Sequence, residues 1–350
     1  MSIRNQPRDA AVFGIDIGKT VFHVVGLDAG HAPIQKATFR RDTLLQFFER
    51  ASPMLGGMEA CPGSQWLARK LQALGHTVQI VPAQFMKPFV KSKKNDIIDA
   101  EAIAEAVTRP TMRFVEIRTP EQIDLQALHR VRDRMIAHRT RLISQMGAFC
   151  LEYGIAIHQG AGKFKAEIPR VLADETNVLT PSMRRILTEV HGEMMALERH
   201  IAAMNNEIDA IAARSDTARR LMTVPGIGPL ASTALLAAAG SGRQFRKARD
   251  LAAWLGLVPR EHSTDGKTKL LGISKRGNKY LRRMIVLGAR SCVTHLDRSR
   301  DRLGPWLDGL ERRMHKNKVT VALAAKIARI VWVILTKQGA TCERRVPALG

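Results

Sequence analysis

Cysteine is scarce in this chain. Cys61, Cys150, Cys292 and Cys342 form neither a C-x-x-C pair nor a disulfide-framework spacing. A fold stapled by disulfides is therefore excluded, and reduced thiols in a reducing compartment are expected. The amino terminus lacks the basic-then-apolar pattern of a signal sequence. The most apolar late stretch, Val319 to Leu335, is interrupted by Lys326 and Arg329, so an amphipathic helix is expected there, with no membrane partner. A cytoplasmic, nucleoid-associated location follows as the expectation. Low-complexity tracts are missing too, and 45% of the residues are apolar. A chain of 350 residues with that composition can build two or three domains with cores of their own.

Negative charge is also in short supply, with 32 Asp and Glu against 55 Lys and Arg and a formal net charge of +23. Residues 216–350 hold 27 basic against 9 acidic side chains, whereas residues 1–215 hold 28 against 23. A field that lopsided attracts polyanions and releases their counterions, which points to nucleic acid.

Three regions follow from the patterning. Residues 1–118 alternate short strand-like and helix-like segments, as an α/β layer domain does. Strands are expected at Ala11–Ile17, Val21–Leu27, Ala37–Arg40, Leu55–Glu59 and His76–Val81, and helices at Thr43–Arg50, Ser64–Leu74 and from about Asp96. Residues 119–215 carry long helical patterns, the first opening at Thr119-Pro120-Glu121 with a capping Thr and a first-turn Pro. In the second, Leu187, Val190, Met194, Leu197, Ile201, Met204, Ile208 and Ile211 alternate steps of three and four. That is an a/d seam fit for a coiled coil, or for an ordinary bundle helix. Residues 154–181 read as a connector or helical tip. Residues 216–350 form the basic region, opening on V-P-G-I-G-P-L, where Gly226 and Gly228 either let backbone amides approach a phosphate or merely fit a tight helix–helix turn.

Four acids stand out by position: Asp16 in F-G-I-D-I-G-K, Glu59 in G-G-M-E-A, and Asp96 and Asp99 in K-K-N-D-I-I-D-A, just after Lys91, Lys93 and Lys94. Two strand ends and one helix face can bring them together, since residues three apart share a helix face. Clustered carboxylates repel one another unless a hard cation is present, and Mg²⁺, with Mn²⁺ as an alternative, prefers oxygen ligands and serves phosphoryl transfer. Asp96 could instead simply cap the helix that follows.

The order Asp, Glu, Asp-x-x-Asp, then a heptad seam, then P-G-I-G and G-L-V-P-R resembles the DEDD-type insertion-sequence transposases of the family numbered one hundred and ten, related to the Piv DNA invertases. The resemblance covers nearly the whole chain apart from residues 154–181 and the tails. It implies a RuvC-like, ribonuclease-H-type amino-terminal domain, a helical coiled-coil middle, and a mainly α carboxy-terminal transposase domain with a helix-hairpin-helix-like motif. It further implies a DNA transposase or recombinase acting on double-stranded donor and target DNA. In that family a serine forms a covalent phosphoserine link, Mg²⁺ at the acidic cluster assists, a structured noncoding bridge RNA guides target choice, and a homo-oligomer, dimer to tetramer, assembles.

The family's serine lies between G-L-x-P-R and S-K-x-G, here Gly256 to Arg260 and Ser274 to Gly277, and Ser263 in E-H-S-T-D-G-K takes the matching place. Thr264 is close enough to compete, and S-T-D-G is also ordinary turn chemistry. His262 is adjacent in sequence only and is not assigned as a base. Lys267, Lys269, Lys275, Arg276, Lys279, Arg282 and Arg283 crowd the run that follows, which suits phosphate contacts or a solvated basic face. Tyr280 is a conceivable rival nucleophile, without a convincing Arg/His/Arg framework. Two other classes compete. One is a metal-dependent, structure-specific endonuclease of the Holliday-junction type, and the other is a non-catalytic nucleic-acid-binding protein.

Overall fold

The first strands form where β-branched and aromatic residues run together between turn residues. A computed structural model describes residues 6–89 and 95–343, so Lys91, Lys93 and Lys94 lie outside the described residues. β1 (Val12–Ile17) turns through Gly18 into β2 (Val21–Leu27), which turns into β3 (Pro33–Arg40). β4 (Leu55–Glu59) and β5 (Thr77–Val81) follow, each after a helix, α1 (Arg41–Glu49) and α2 (Ser64–Ala73). The sheet order is β3-β2-β1-β4-β5. β1–β2 and β2–β3 are antiparallel, whereas β1–β4 and β4–β5 are parallel. The strands fall where the sequence places them, with β3 opening earlier, at Pro33.

One face of this mixed sheet buries Phe13, Phe22 and Phe39 against α1, with its Phe47 and Phe48, and α2. Phe13 meets Phe47 and Phe48 edge-on at 5.7 and 5.6 Å, a geometry that adds about 1 kcal/mol per pair beyond simple burial. The other face is covered by α3 (Asp96–Val107) through Ala100, Ile103, Ala104 and Val107. Two glycines let that helix come close. A Cβ on Gly14 would lie 1.9 Å from the Ala100 carbonyl oxygen, and one on Gly57 would lie 2.5 Å from Val107 Cγ1.

By its contacts the chain divides into two units, Met1–Thr119 and Pro120–Gly350. The second opens with α4 (Pro120–Glu152), α5 (Ala161–Ala173) and α6 (Pro181–Arg214). The region read as a connector or helical tip contains a helix, whose Phe164 and Ile168 close the tip of the α4–α6 pair beside Met146, Cys150 and Leu187. Along α6 the seam is graded: Leu187, Met194, Ile201 and Ile208 are buried, while Val190, Leu197, Met204 and Ile211 stay half-buried. α7 (Asp216–Met222), α8 (Pro229–Ala239), α9 (Ala248–Trp254), α10 (Lys279–His295), α11 (Gly304–Glu311) and α12 (Lys316–Thr336) complete the unit, interrupted by a hairpin of β6 (Pro259–Thr264) and β7 (Lys267–Ile273). α12 is long and apolar enough to cross a membrane by length and composition. Here its Val319, Leu323, Ile327, Val331 and Ile334 are core residues of the second unit.

Three helices of this unit meet at one histidine. His129 on α4 places Nδ1 3.1 Å from the Tyr280 hydroxyl of α10 and Nε2 3.0 Å from Thr233 Oγ1 of α8. Thr233 donates its own proton to the Pro229 carbonyl, so it accepts from Nε2–H, leaving Nδ1 to accept from Tyr280. Burial, reinforced by the Arg132 charge, lowers the His129 pKa to about 4. A histidine kept neutral in the fold but free to charge when unfolded destabilises the native state progressively as pH falls from about 6.5 to about 4. The loss is at most roughly 3 kcal/mol. Denaturant titrations at pH 7 and pH 4.5 should therefore show a smaller acid loss in His129→Gln, which keeps a donor and an acceptor but does not titrate. Equal acid losses in the two proteins would refute this account.

Candidate active site

The carboxyl ends of β1 and β4 carry the first two acids. Ile15 pairs with Met58 in the parallel register, so the next residues, Asp16 and Glu59, leave the sheet at the same edge, where ligands bind in open α/β sheets. The other two sit in the first turn of α3. The cap of that helix is Asn95, whose side chain accepts from the Ile97 amide at 3.0 Å. Asp96 is thus released from the capping role that the sequence allowed it. A helix amino terminus also favours negative charge, which eases the placement of Asp96 and Asp99 beside other acids.

The electrostatics bind the four together. Burial raises the Asp16 carboxyl above the ordinary range, and the charges of Asp96 and Asp99 add to the rise, against smaller pulls from His23 and the Ile17 amide. Burial likewise raises Glu59, with Asp16 and Asp99 contributing. Burial raises the nearby Cys61 thiol as well, and Glu59 and Asp16 add to it. Carboxylates that crowd against their own repulsion are stabilised by a cation. Asp16, Asp96 and Asp99 line a cleft of about 390 Å³ together with His23, a residue on β2 to which sequence reasoning gave no role. The only signal for it was the pairing of β2 with β1, which sets His23 opposite Asp16. Its Nδ1 is buried and has no hydrogen-bond partner among the described residues. Ligand atoms of Asp16, His23 and Asp96 lie within 4.8 Å of one another and Asp99 lines the same cleft, a donor set that fits a divalent metal, whereas Glu59 is tied to it through its electrostatic influence and not through the lining.

The carboxy-terminal unit presents Ser263 on a different kind of platform. The hairpin turn is Asp265-Gly266, with φ of 51° and 73°, the two-residue turn that Asp-Gly favours. Ser263 is therefore in the strand rather than in the turn, opposite Thr268 and exposed. Side chains alternate along a strand, so Glu261 shares its face, and the Ser263 hydroxyl donates to Glu261 Oε1 at 2.5 Å. The alternation sends His262 and Thr264 to the opposite face, with Lys267 and Lys269 across from them. Glu261 is the second residue that sequence reasoning passed over, and its signal was the spacing of two within a strand.

The two anchor motifs meet at the base of the hairpin. The Ser274 amide donates to the Val258 carbonyl at 2.8 Å and the Lys275 amide to the Gly256 carbonyl at 3.1 Å. Gly277, at φ 75°, lies so close that a Cβ would sit 1.8 Å from the Trp254 carbonyl oxygen. Arg282 reinforces this base, donating from Nη1 to the carbonyls of Leu255 and Arg276 at 3.0 and 2.7 Å. Arg283 pairs with Asp133 and lies over the Tyr280 ring. Lys267, Lys269, Lys275, Arg276 and Lys279 are exposed. Tyr280 is half-buried with its hydroxyl bonded to His129. Gly226 and Gly228 differ. Gly226, at φ 82°, packs its backbone against Gly288 of α10, 2.6 Å from where a Cβ would meet the Gly288 oxygen. Gly228 precedes α8 and faces open space.

The class defined by this fold and acidic edge is the DEDD transposase. A family model described as a transposase, of the DEDD type, matches residues 13–154, and a second, described as the transposase IS116/IS110/IS902 family, matches residues 218–303. A probable family 20 transposase of Pseudomonas aeruginosa is 42% identical over 95% of this chain and 98% of its own length. The transposase for insertion sequence element IS1328 of Yersinia enterocolitica is 41% identical over 94% and 98%. The transposase for insertion sequence element IS1111A of Coxiella burnetii is 39% identical over 96% and 92%. The chain belongs to the IS110 family of insertion-sequence transposases, enzymes that cleave and rejoin DNA, and its RuvC-like DEDD match takes in the mixed sheet and runs on into α4.

Proposed function

We propose that this transposase recombines the DNA of its own insertion sequence through a phosphoserine intermediate formed at Ser263. The observation that carries the reading is the hydrogen bond from the Ser263 hydroxyl to Glu261 on an exposed hairpin. A serine hydroxyl is a weak nucleophile until a base takes its proton, and Glu261 is in place to do so. The Ser263 oxygen bonds to phosphorus, the phosphorus–oxygen bond to one DNA strand end breaks, and that end leaves as a hydroxyl. Attack by another strand's hydroxyl on the phosphoserine then restores Ser263 and joins the DNA, with the phosphodiester energy conserved.

Asp16, Glu59, Asp96 and Asp99 would hold Mg²⁺ or Mn²⁺. Such a metal, when bound, stabilises charge on phosphoryl oxygens. Lys267, Lys269, Lys275, Arg276 and Lys279 position DNA or RNA phosphates without reading sequence, while Arg282 and Arg283 act mainly by holding the hairpin base and the α4–α10 contact. The amino terminus of α8, which Gly228 leaves uncovered, suits a phosphate in the manner of a helix-hairpin-helix turn. The half-buried row Val190, Leu197, Met204 and Ile211 favours a second copy along α6, as a coiled coil would require, consistent with a dimer assembling into a tetramer. The functional regions on this reading remain 1–118, 119–215 and 216–350, with a noncoding bridge RNA as guide and the cytoplasm as the site of action.

The test incubates the full chain with element-junction DNA, the flanking noncoding RNA and Mg²⁺, and looks for protein-linked DNA. Wild type should yield a covalent adduct that Ser263→Ala loses. Cleavage without an adduct, insensitive to Ser263→Ala, would instead establish a junction endonuclease, the reading that the acidic cluster alone would favour.

A further inference from the structure

We propose that His23 is a nitrogen ligand of the metal at the DEDD cleft, and that it makes the site select Mn²⁺ over Mg²⁺. The inference rests on the reading of that cleft as a metal site and adds a donor that the four carboxylates do not include. β1 and β2 pair so that Asp16 and His23 are direct partners, and directly opposed residues project from the same face of a sheet. The imidazole is therefore built into the edge that carries Asp16. Its Nδ1 stands 3.9 Å from Asp16 Oδ2 and 3.7 Å from Asp96 Oδ2. Those separations are too long for hydrogen bonds, and Nδ1 is buried with no other partner among the described residues.

One ligand atom from each of Asp16, His23 and Asp96 falls within 4.8 Å of the others. Two donors on opposite sides of an ion held at about 2.0–2.3 Å stand up to about 4.6 Å apart, so small side-chain adjustments bring the three onto one ion. A buried nitrogen left without a partner is costly, and an ion among the three atoms would satisfy it and the two carboxylates together. The choice of ion follows from the donor set. Mg²⁺ takes hard oxygen ligands and tolerates little departure from its own geometry, whereas imidazole suits transition metals. Asp99, which lines the same cleft, is available to the oxygen side in either case.

Metal binding by the full-length protein without nucleic acid is the direct test, followed by the loss of the free Mn²⁺ paramagnetic resonance signal and by Mg²⁺ competition. Wild type should hold Mn²⁺ at least tenfold more tightly than Mg²⁺, and bound Mn²⁺ should show coupling to an imidazole ¹⁴N nucleus. His23→Asn, which keeps a polar side chain of similar reach, should weaken Mn²⁺ by roughly 10-fold or more, change Mg²⁺ by less than about 3-fold, and abolish the nitrogen coupling. His23→Ala, checked for an unchanged far-ultraviolet dichroism spectrum, should behave alike. Bound Mn²⁺ with no nitrogen coupling and equal affinity in the variants would overturn the role of His23 while leaving the carboxylate site intact. Tighter Mn²⁺ binding in His23→Asn would also overturn it, making the histidine a stand-in cation. Absence of Mn²⁺ binding by wild type, or binding that survives Asp16→Asn with Asp99→Asn, would instead defeat the underlying metal-site reading.

Discussion

Glu261→Gln should slow formation of the protein–DNA adduct by about 10²–10⁴-fold, the usual contribution of a positioned general base. Glutamine retains an oxygen that can accept the Ser263 hydrogen bond, so the geometry of the hairpin face survives, but it has no basicity with which to remove the proton. DNA affinity should change little, because the loss is confined to the chemical step. Thr264→Ala is the internal control. It removes the neighbouring hydroxyl from the opposite face of the strand and should leave the adduct rate within about twofold, as surface changes away from chemistry usually do. Single-turnover adduct yields would decide the matter: a Glu261→Gln rate equal to wild type would remove Glu261 from the mechanism, and a large Thr264→Ala effect would move the nucleophile.

Gly14→Val should be the most damaging single change in the amino-terminal unit. The clash it creates is with backbone, the Ala100 carbonyl oxygen at 1.9 Å and the Ala104 amide nitrogen at 2.5 Å, so no rotamer relieves it. Either α3 moves off the sheet or the unit unfolds, at a cost of about 3 kcal/mol or more and a melting temperature roughly 10 °C lower. Since α3 carries Asp96 and Asp99 and β1 carries Asp16, a surviving Gly14→Val protein should also lose Mn²⁺ affinity. Gly56→Ala is the comparison, for its added Cβ meets nothing nearer than Met54 Cε at 3.4 Å and should cost less than about 1 kcal/mol. A Gly14→Val protein with wild-type melting and wild-type metal affinity would refute the idea that glycine sets the approach of α3.

Much of this was legible along the chain because the signals are local. Strand periods, the helix start near Asp96 and the step of three between Asp96 and Asp99 each lie within a few residues, and they placed the acids on two strand ends and one helix turn. The seam of α6 was legible too, but its partner was not. A heptad pattern records that one face is apolar, whereas burial of one row and half-exposure of the other depends on how α4 and α5 lie against it. The helix over Ala161–Ala173 escaped because Gly160, Gly162 and Pro169 mask its period, and only Phe164 and Ile168 reveal it once the hairpin tip is packed.

Glu261 and His23 mark the boundary most clearly. Neither was given a role by the sequence patterns, although Glu261 opens the E-H-S-T-D-G-K run, and each gains its significance from a partner set by strand geometry: Ser263 two residues on, and Asp16 across the β1–β2 register. The sequence by itself determined the basic character of the last region, the positions of the four carboxylates and the family to which they point, since charge, periodicity and motif order are properties of the chain. Only the tertiary structure decided that Asn95 rather than Asp96 caps α3, that Thr264 faces away from Glu261, and that an imidazole stands among the acids. Those outcomes depend on which atoms come within a few ångströms across strands and helices, and pairing register and close backbone approach are what bring them there.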